Sequence, residues 1–230
     1  MKWLVLILCI LFMAAELQGQ LIPTKKKKGV AGVTYATITH NATRAKTFSS
    51  LSTDTLKITV AAGTNNCAVF WWDCTGGATP TSVKWGTTDF TKVSGTFRES
   101  CWILVNVPTG AGVVTWAASS TTGACGVTVY NGVHQTVTTG TWASVEETSA
   151  STSLNVTTVA GDLVTSASQI YNTGVANASQ TTRWSLMAGS GDGNVMSDKT
   201  ATTTTTTMIV SWAGSRSHGT GAIPLKQAQN

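Results

Sequence analysis

The sequence predicts an all-β protein: a single antiparallel β-sandwich, jelly-roll-like, of about ten to twelve strands behind an N-terminal apolar leader helix. Three observations carry this expectation. Short apolar runs recur every ~8–15 residues, separated by Gly, Pro, Asn or Ser/Thr turn signals. Beyond the leader no stretch shows a 3.6-residue apolar period, so no helix organises the fold. Only 11% of the 230 residues are charged while 42% are apolar, and polarity comes from Thr, Ser, Asn and Gly. That charge is well under the usual quarter, and a chain so composed does not repel itself into extension.

Taken in order, Lys2 is followed by an apolar run of 13 residues, Trp3 to Ala15, and then by polar Glu16 to Gln20. Residues 1–20 read as a signal peptide or apolar leader, shorter than the ~20 apolar residues that span a bilayer. The Lys25–Lys28 run outweighs Lys2, so an uncleaved leader stays an alternative under the positive-inside rule. Residues 21–32 read as a basic extended arm or linker, and residues 33–230 as the β-sandwich domain. The formal net charge is +5, but omitting residues 1–20 and the Lys run leaves ten basic and nine acidic residues. A near-neutral body has no electrostatic footprint for a polyanion, so no specific nucleic acid is expected. Membrane contact is expected only through an uncleaved leader.

Within the sandwich, Val33 to Ile38 is a first strand candidate, and Leu56, Ile58 and Val60 alternate with Lys57 and Thr59 as a half-buried strand. Ala68 to Trp72 is apolar on both faces, as in a strand covered by two layers. Ser82 to Trp85 and Phe90 to Val93 suggest a hairpin around Gly86. Cys101 to Val107 is a strong strand closed by Pro108. Val113 to Ala117 and Gly123 to Tyr130 follow, with a polar Ser/Thr turn expected between them. Leu154–Val156, Leu163–Val164, Arg183–Met187, Met208–Trp212 and Ala222–Leu225 complete the set. Residues 190–198 read as a loop, and no internal repeat is evident.

The order TLKITVAAGTNNCAVFWW, TSVKWGTTDFTKV, ESCWILVNVPTGAGVVTW and GVTVYNGVHQ resembles a poorly characterised group of secreted and phage-associated jelly-roll-like β-sandwich proteins. The likeness covers residues 33 to 225. Thr87 stands where that group's pattern has a second Gly, and the cysteines are not part of the pattern. The resemblance implies a fold and a secreted, extracellular or virion-surface setting, and it carries over no catalytic residue.

Cys67, Cys74, Cys101 and Cys125 are disulfide candidates, an even number in a chain expected to be exported. A bridge from Cys74 to Cys101 or Cys125 is the expected pairing. Asn41, Asn155 and Asn177 head N-x-[S/T] sequons and are glycosylation candidates in exposed turns. No metal or other cofactor is expected, although Asp192, Asn194 and Asp198 offer hard oxygen donors of the kind calcium takes. Trp142 and Trp184, in polar surroundings, are candidate sugar-stacking platforms.

Catalytic signals are sparse. His40, His134 and His218 are widely separated, and no G-x-S-x-G elbow or H-E-x-x-H pattern occurs. Asp73 and Glu99 flank buried strands and could meet across a sheet, but Asp73 is better read as a strand cap or a partner of Arg98. These observations point to a non-enzymatic structural or adhesive subunit. Copies of itself are its expected partners, assembled into a filament or shell through the N-terminal arm. The alternative is a carbohydrate-binding module that takes polysaccharide on exposed Trp.

Overall fold

The computed structural model describes residues 33–173 and 176–230. The expected leader and the Lys25–Lys28 arm lie outside the described residues.

Among the described residues, thirteen strands form two antiparallel sheets, an all-β sandwich. The first sheet holds β1 (Thr39–Val60), β2 (Cys67–Thr75), β3 (Ser82–Trp85), β4 (Thr88–Asp89), β5 (Thr91–Gly95), β6 (Glu99–Val105) and β7 (Gly110–Asn131). Its order is β4-β3-β7-β2-β6-β5, and β1 runs along the whole other side of β7. The second holds β8 (Ala143–Thr157), β9 (Leu163–Ile170), β10 (Ala176–Ala178), β11 (Thr181–Met187), β12 (Gly193–Thr200) and β13 (Thr205–Leu225). Its order is β10-β13-β9-β12-β11, with β8 along β13.

Apart from β4, which has no counterpart, the two orders are the same. β1, β2, β3, β5, β6 and β7 correspond to β8, β9, β10, β11, β12 and β13, so the fold repeats its topology once. This corrects the expectation of no repeat. The echo in sequence is thin: Val114, Trp116, Ala117, Ser119 and Gly123 return as Val210, Trp212, Ala213, Ser215 and Gly219, and Leu56, Thr59, Ala62 and Gly63 as Leu154, Thr157, Ala160 and Gly161.

Each sheet bends along its long strands and covers part of its own outer face. In the first sheet Phe70 and Trp72 of β2 meet Trp116 near the far end of β7, at centroid distances of 5.7 and 6.2 Å. The bend falls where β1 advances from Ser49 to Thr53 while β7 advances from Thr122 to Ala117, one residue more. That extra residue changes which side of β7 points inward, so Val114 and Trp116 join the same cluster as Cys125, Val127 and Val129. Between the sheets lies a second core of Val69, Trp71, Ile103, Tyr130, Met196, Ile223 and Leu225. Trp71 and Trp72 therefore each fill a core on opposite faces of one strand, and Trp72 stacks on Phe48 at 4.1 Å.

Several expectations change. The Ser/Thr stretch after Ala117 is not a turn; it is the middle of a single β7. Likewise Met208–Trp212 and Ala222–Leu225 are the two ends of β13. Small residues at both places let the strands coil tightly. Val33–Ile38 is no strand, contributing one bridge between Tyr35 and Gln229. Ser82–Trp85 pairs with Thr88–Asp89, whereas Thr91–Gly95 pairs with β6.

The expected disulfides are absent, and all four described cysteines are free and buried. Cys67 and Cys101 face the inter-sheet core, while Cys74 and Cys125 face the inner core of the first sheet. A Cys74–Cys101 bridge would have to pass through the sheet. Cys74 and Cys125 share a face but are staggered, opposite Gly123 and Trp72 respectively. Burial pushes all four thiols up, so they stay protonated and poorly nucleophilic at neutral pH.

Candidate functional site

A strand that alternates faces puts residues two apart on one side. On β2 the side carrying Cys67, Val69 and Trp71 also carries Asp73, and on β6 the side carrying Ile103 and Cys101 also carries Glu99. The register sets Asp73 directly opposite Glu99. Two carboxyls thus face the inter-sheet space side by side, at 0% and 1% exposure. Neither accepts a hydrogen bond from any described residue.

The facing layer adds further polar groups without partners. Gln169 on β9 and Asn194 on β12 are register partners, and Gln169 Nε2 and Asn194 Oδ1 are buried and unbonded among the described residues. Gly219 and Gly221 on β13 make room for the acid: a Cβ on Gly219 would lie 2.4 Å from Glu99 Oε2, and one on Gly221 would lie 3.1 Å from Glu99 Cγ. Arg98 does not pair with Asp73, contrary to expectation. Its guanidinium donates to Gln169 Oε1 and Ser217 Oγ, each at 3.0 Å. Glu146, on β8, accepts from the Phe97 amide at 2.9 Å.

Burial, and then the neighbouring Glu99, push the Asp73 carboxyl well above the usual carboxylate range. Burial pushes Glu99 up to about 8; Glu146 adds to the rise, while the neighbouring Thr96 and the Arg98 charge oppose it. The pair is therefore a proton-holding site. Enclosed as it is, it cannot touch a dissolved substrate. Both folded-state values lie above the unfolded ones of about 4. The stability that depends on these protons is complete below that pH, and Glu99 loses its share as pH rises toward 8. Between those limits one proton changes the folding constant by up to about tenfold per pH unit. Thermal unfolding of the wild type is expected to drop steadily from pH 5 to pH 8, Glu99→Gln, which keeps only the Asp73 proton, to drop less steeply, and the double variant Asp73→Asn, Glu99→Gln to stay nearly constant. A wild type with no such slope would contradict the assignment.

Other polar groups pin the sheets together. Trp71 Nε1 donates to Thr165 Oγ1 at 3.0 Å, and the Tyr130 hydroxyl to Asp198 Oδ2 at 2.8 Å. Thr75 donates to Asp192, whose other oxygen accepts from the Asn172 amide.

These bonds account for the calcium candidates. Asp198 is held by Arg183 and Tyr130, Asn194 donates to the Asp192 carbonyl, and Asp192 is buried among Thr75, Ser190 and Asn172. Residues 189–191 form a turn, but from Gly193 on the expected loop is strand β12; Asn194 and Asp198 lie on that strand and Asp192 just before it. No cluster of three or more His, Cys, Asp or Glu suited to a metal occurs among the described residues.

Trp184 is not an exposed platform. It is 7% exposed and packs in the inter-sheet core over Gly126. Trp142 is half-buried against Trp71, with centroids 5.6 Å apart. Asn155 and Asn177 are exposed, but on β8 and β10 and not in turns; Asn41 uses its amide on Ala61 and Asn131. His218, at the inner face of the second sheet, lies 3.7 Å from Glu147 and 4.5 Å from the Trp212 ring. Burial holds its pKa below the ordinary value, so it is neutral at physiological pH.

Gln169 was not foreseen, and Asn194 was considered only as a calcium ligand and not as a neighbour of the carboxyl pair. The one signal available was β9 itself, LVTSASQI, in which every position is buried although half are hydroxyl or amide residues. Comparison of the chain with protein-family models, with curated proteins and with solved structures finds no match.

Proposed function

We propose that this chain is a structural or adhesive subunit of an extracellular or virion surface, not an enzyme, and that it assembles with copies of itself into a filament or shell through its N-terminal arm. The carrying observation is the pair of long outer strands. β1 and β8 each pair on one side only, with β7 and β13, so the backbone groups of their other edges have no strand partner among the described residues. An open edge accepts an extended segment through main-chain hydrogen bonds.

A second observation supports the reading. Tyr35, Val137 and Val159 are exposed large apolar residues around one groove of about 310 Å³, which the Lys226–Asp162 ion pair also borders. Clustered exposed apolar surface marks contact sites. The chain enters the described fold at Val33, two residues before Tyr35.

Sedimentation velocity of the full chain and of a chain lacking residues 21–32 tests the proposal. The full chain is expected to sediment as large species and the shortened one as a monomer. Equal sedimentation of the two would overturn it.

A further inference from the structure

The two long open edges, β1 and β8, differ in how they are guarded; the other edge strands, β4, β5, β10 and β11, are only two to seven residues long. Stable β proteins blunt an exposed edge with Lys or Arg, Pro, bulges or short length, because an unguarded edge pairs with other chains. β1 carries Arg44, Lys46 and Lys57 and has register irregularities at His40/Ala42, Ser49/Leu51 and Leu51/Thr53. β8, fifteen residues long, carries no Lys, Arg or Pro, and its pairing with β13 has one irregularity, between Ser149 and Ser151, against three along β1. Its charged residues are Glu146 and Glu147, both exposed, and the rest is mainly Ser, Thr and Ala, small enough for a strand to approach closely.

From this we infer that the outer edge of β8 receives the basic arm of a second copy, residues 21–32, as an added strand. The inference rests on the self-assembly proposed above and names its acceptor surface. Charge selects β8 over β1: the arm contributes Lys25 to Lys28, β8 is acidic, and β1 has three basic residues against Asp54 alone. Arg98, next to the Phe97 whose amide Glu146 bonds, and Arg216, two residues from the His218 that pairs with Glu147, are cations on neighbouring segments. Arg98 is spent on Gln169 and Ser217, and Arg216 lies opposite Ser149 on β13. Glu146 gives one oxygen to the Phe97 amide, and Glu147 lies 3.7 Å from a neutral His218. Neither carboxylate forms an ion pair with a Lys or Arg among the described residues, so both are open to an incoming lysine. Reach agrees as well, since twelve extended residues cover about 40 Å and β8 about 50 Å.

Zero-length carbodiimide coupling on an equal mixture of isotope-light and isotope-heavy full chains tests the acceptor directly. Light–heavy amide links from Lys25–Lys28 to Glu146 or Glu147 are expected. Links confined to single copies, or made to Asp54 of β1, would overturn the inference. In parallel, the double variant Glu146→Lys, Glu147→Lys is expected to lose the large species in sedimentation, and adding Glu at positions 25 to 28 to restore them. Full assembly of the double variant, with assembly still lost on removal of residues 21–32, would sink the β8 acceptor and leave the arm-driven reading intact. Assembly that survives removal of the arm would sink both.

Discussion

Replacing Trp71 by Ala is expected to leave the chain close to unfolding under ordinary conditions. The side chain is fully buried between the sheets, its ring packs on Trp142, and its N–H donates to Thr165. Truncating a buried Trp costs about 3–5 kcal/mol through lost burial and the cavity left behind. Leaving the Thr165 hydroxyl without its donor adds about 1 kcal/mol. Domains of this kind are held by about 5–15 kcal/mol in all, so the loss is a large part of the total. Urea unfolding should show a much lower midpoint with an unchanged slope. Trp71→Phe keeps most of the ring, loses the hydrogen bond, and should lie between the two. A Trp71→Ala midpoint within about 1 kcal/mol of wild type would show that the sheets do not close on this residue.

The second large effect concerns Gly123, at the crossing of three strands. It pairs with Phe48 on β1 and with Cys74 on β2. A Cβ there would lie 2.0 Å from the Asp73 carbonyl oxygen and 2.8 Å from Cys74 Cα, which are backbone atoms that cannot swing away. Gly123→Ala must therefore spread β7 from β2, at about 1–3 kcal/mol or more. Gly189 is the matched control, because a Cβ there meets nothing within 4 Å and its backbone does not need glycine. Gly189→Ala should be neutral or slightly stabilising, by up to about 1 kcal/mol. Equal midpoints for the two variants would contradict the close approach. The repeat gives this position a counterpart in sequence, Gly219 on β13, but that glycine faces the space between the sheets and the atom approached is a Glu99 carboxylate oxygen.

The first half of the fold was easier to read than the second, for a physical reason. In the first sheet both cores are filled by Trp, Phe, Val and Ile, so β2 and β6 announce themselves as apolar runs. In the second sheet the inner face is closed partly by paired hydroxyls, Ser166 with Ser197 at 3.1 Å and Ser168 with Thr220 at 2.8 Å. Such pairs satisfy each other in the interior but look like solvated residues in a linear sequence. β12 was hidden the same way: Asp198 is held by Arg183 and Tyr130, and the Asn194 amide donates to the Asp192 carbonyl just before the strand, so polar residues sit at buried strand positions. The carboxyl pair was half visible. Asp73 and Glu99 stand beside recognisable strands, yet their opposition depends on a β2–β6 register set by long-range pairing. Gln169 and Asn194 depend on the packing of one sheet on the other, which no local pattern encodes.

The same limits explain the cysteines. Their even number suggested bridges, but face and stagger decide whether two sulfurs can meet. The fold holds its thiols protonated within two separate apolar cores and relies on burial and inter-sheet hydrogen bonds for cohesion.

Self-assembly through the arm is the claim on which the functional account stands. Negative-stain electron microscopy of the full chain beside the chain lacking residues 21–32, at matched concentration, examines it most directly. The account predicts ordered filaments or shells for the full chain and isolated compact particles for the shortened one. Isolated particles from both, or the same ordered assemblies from both, would contradict it.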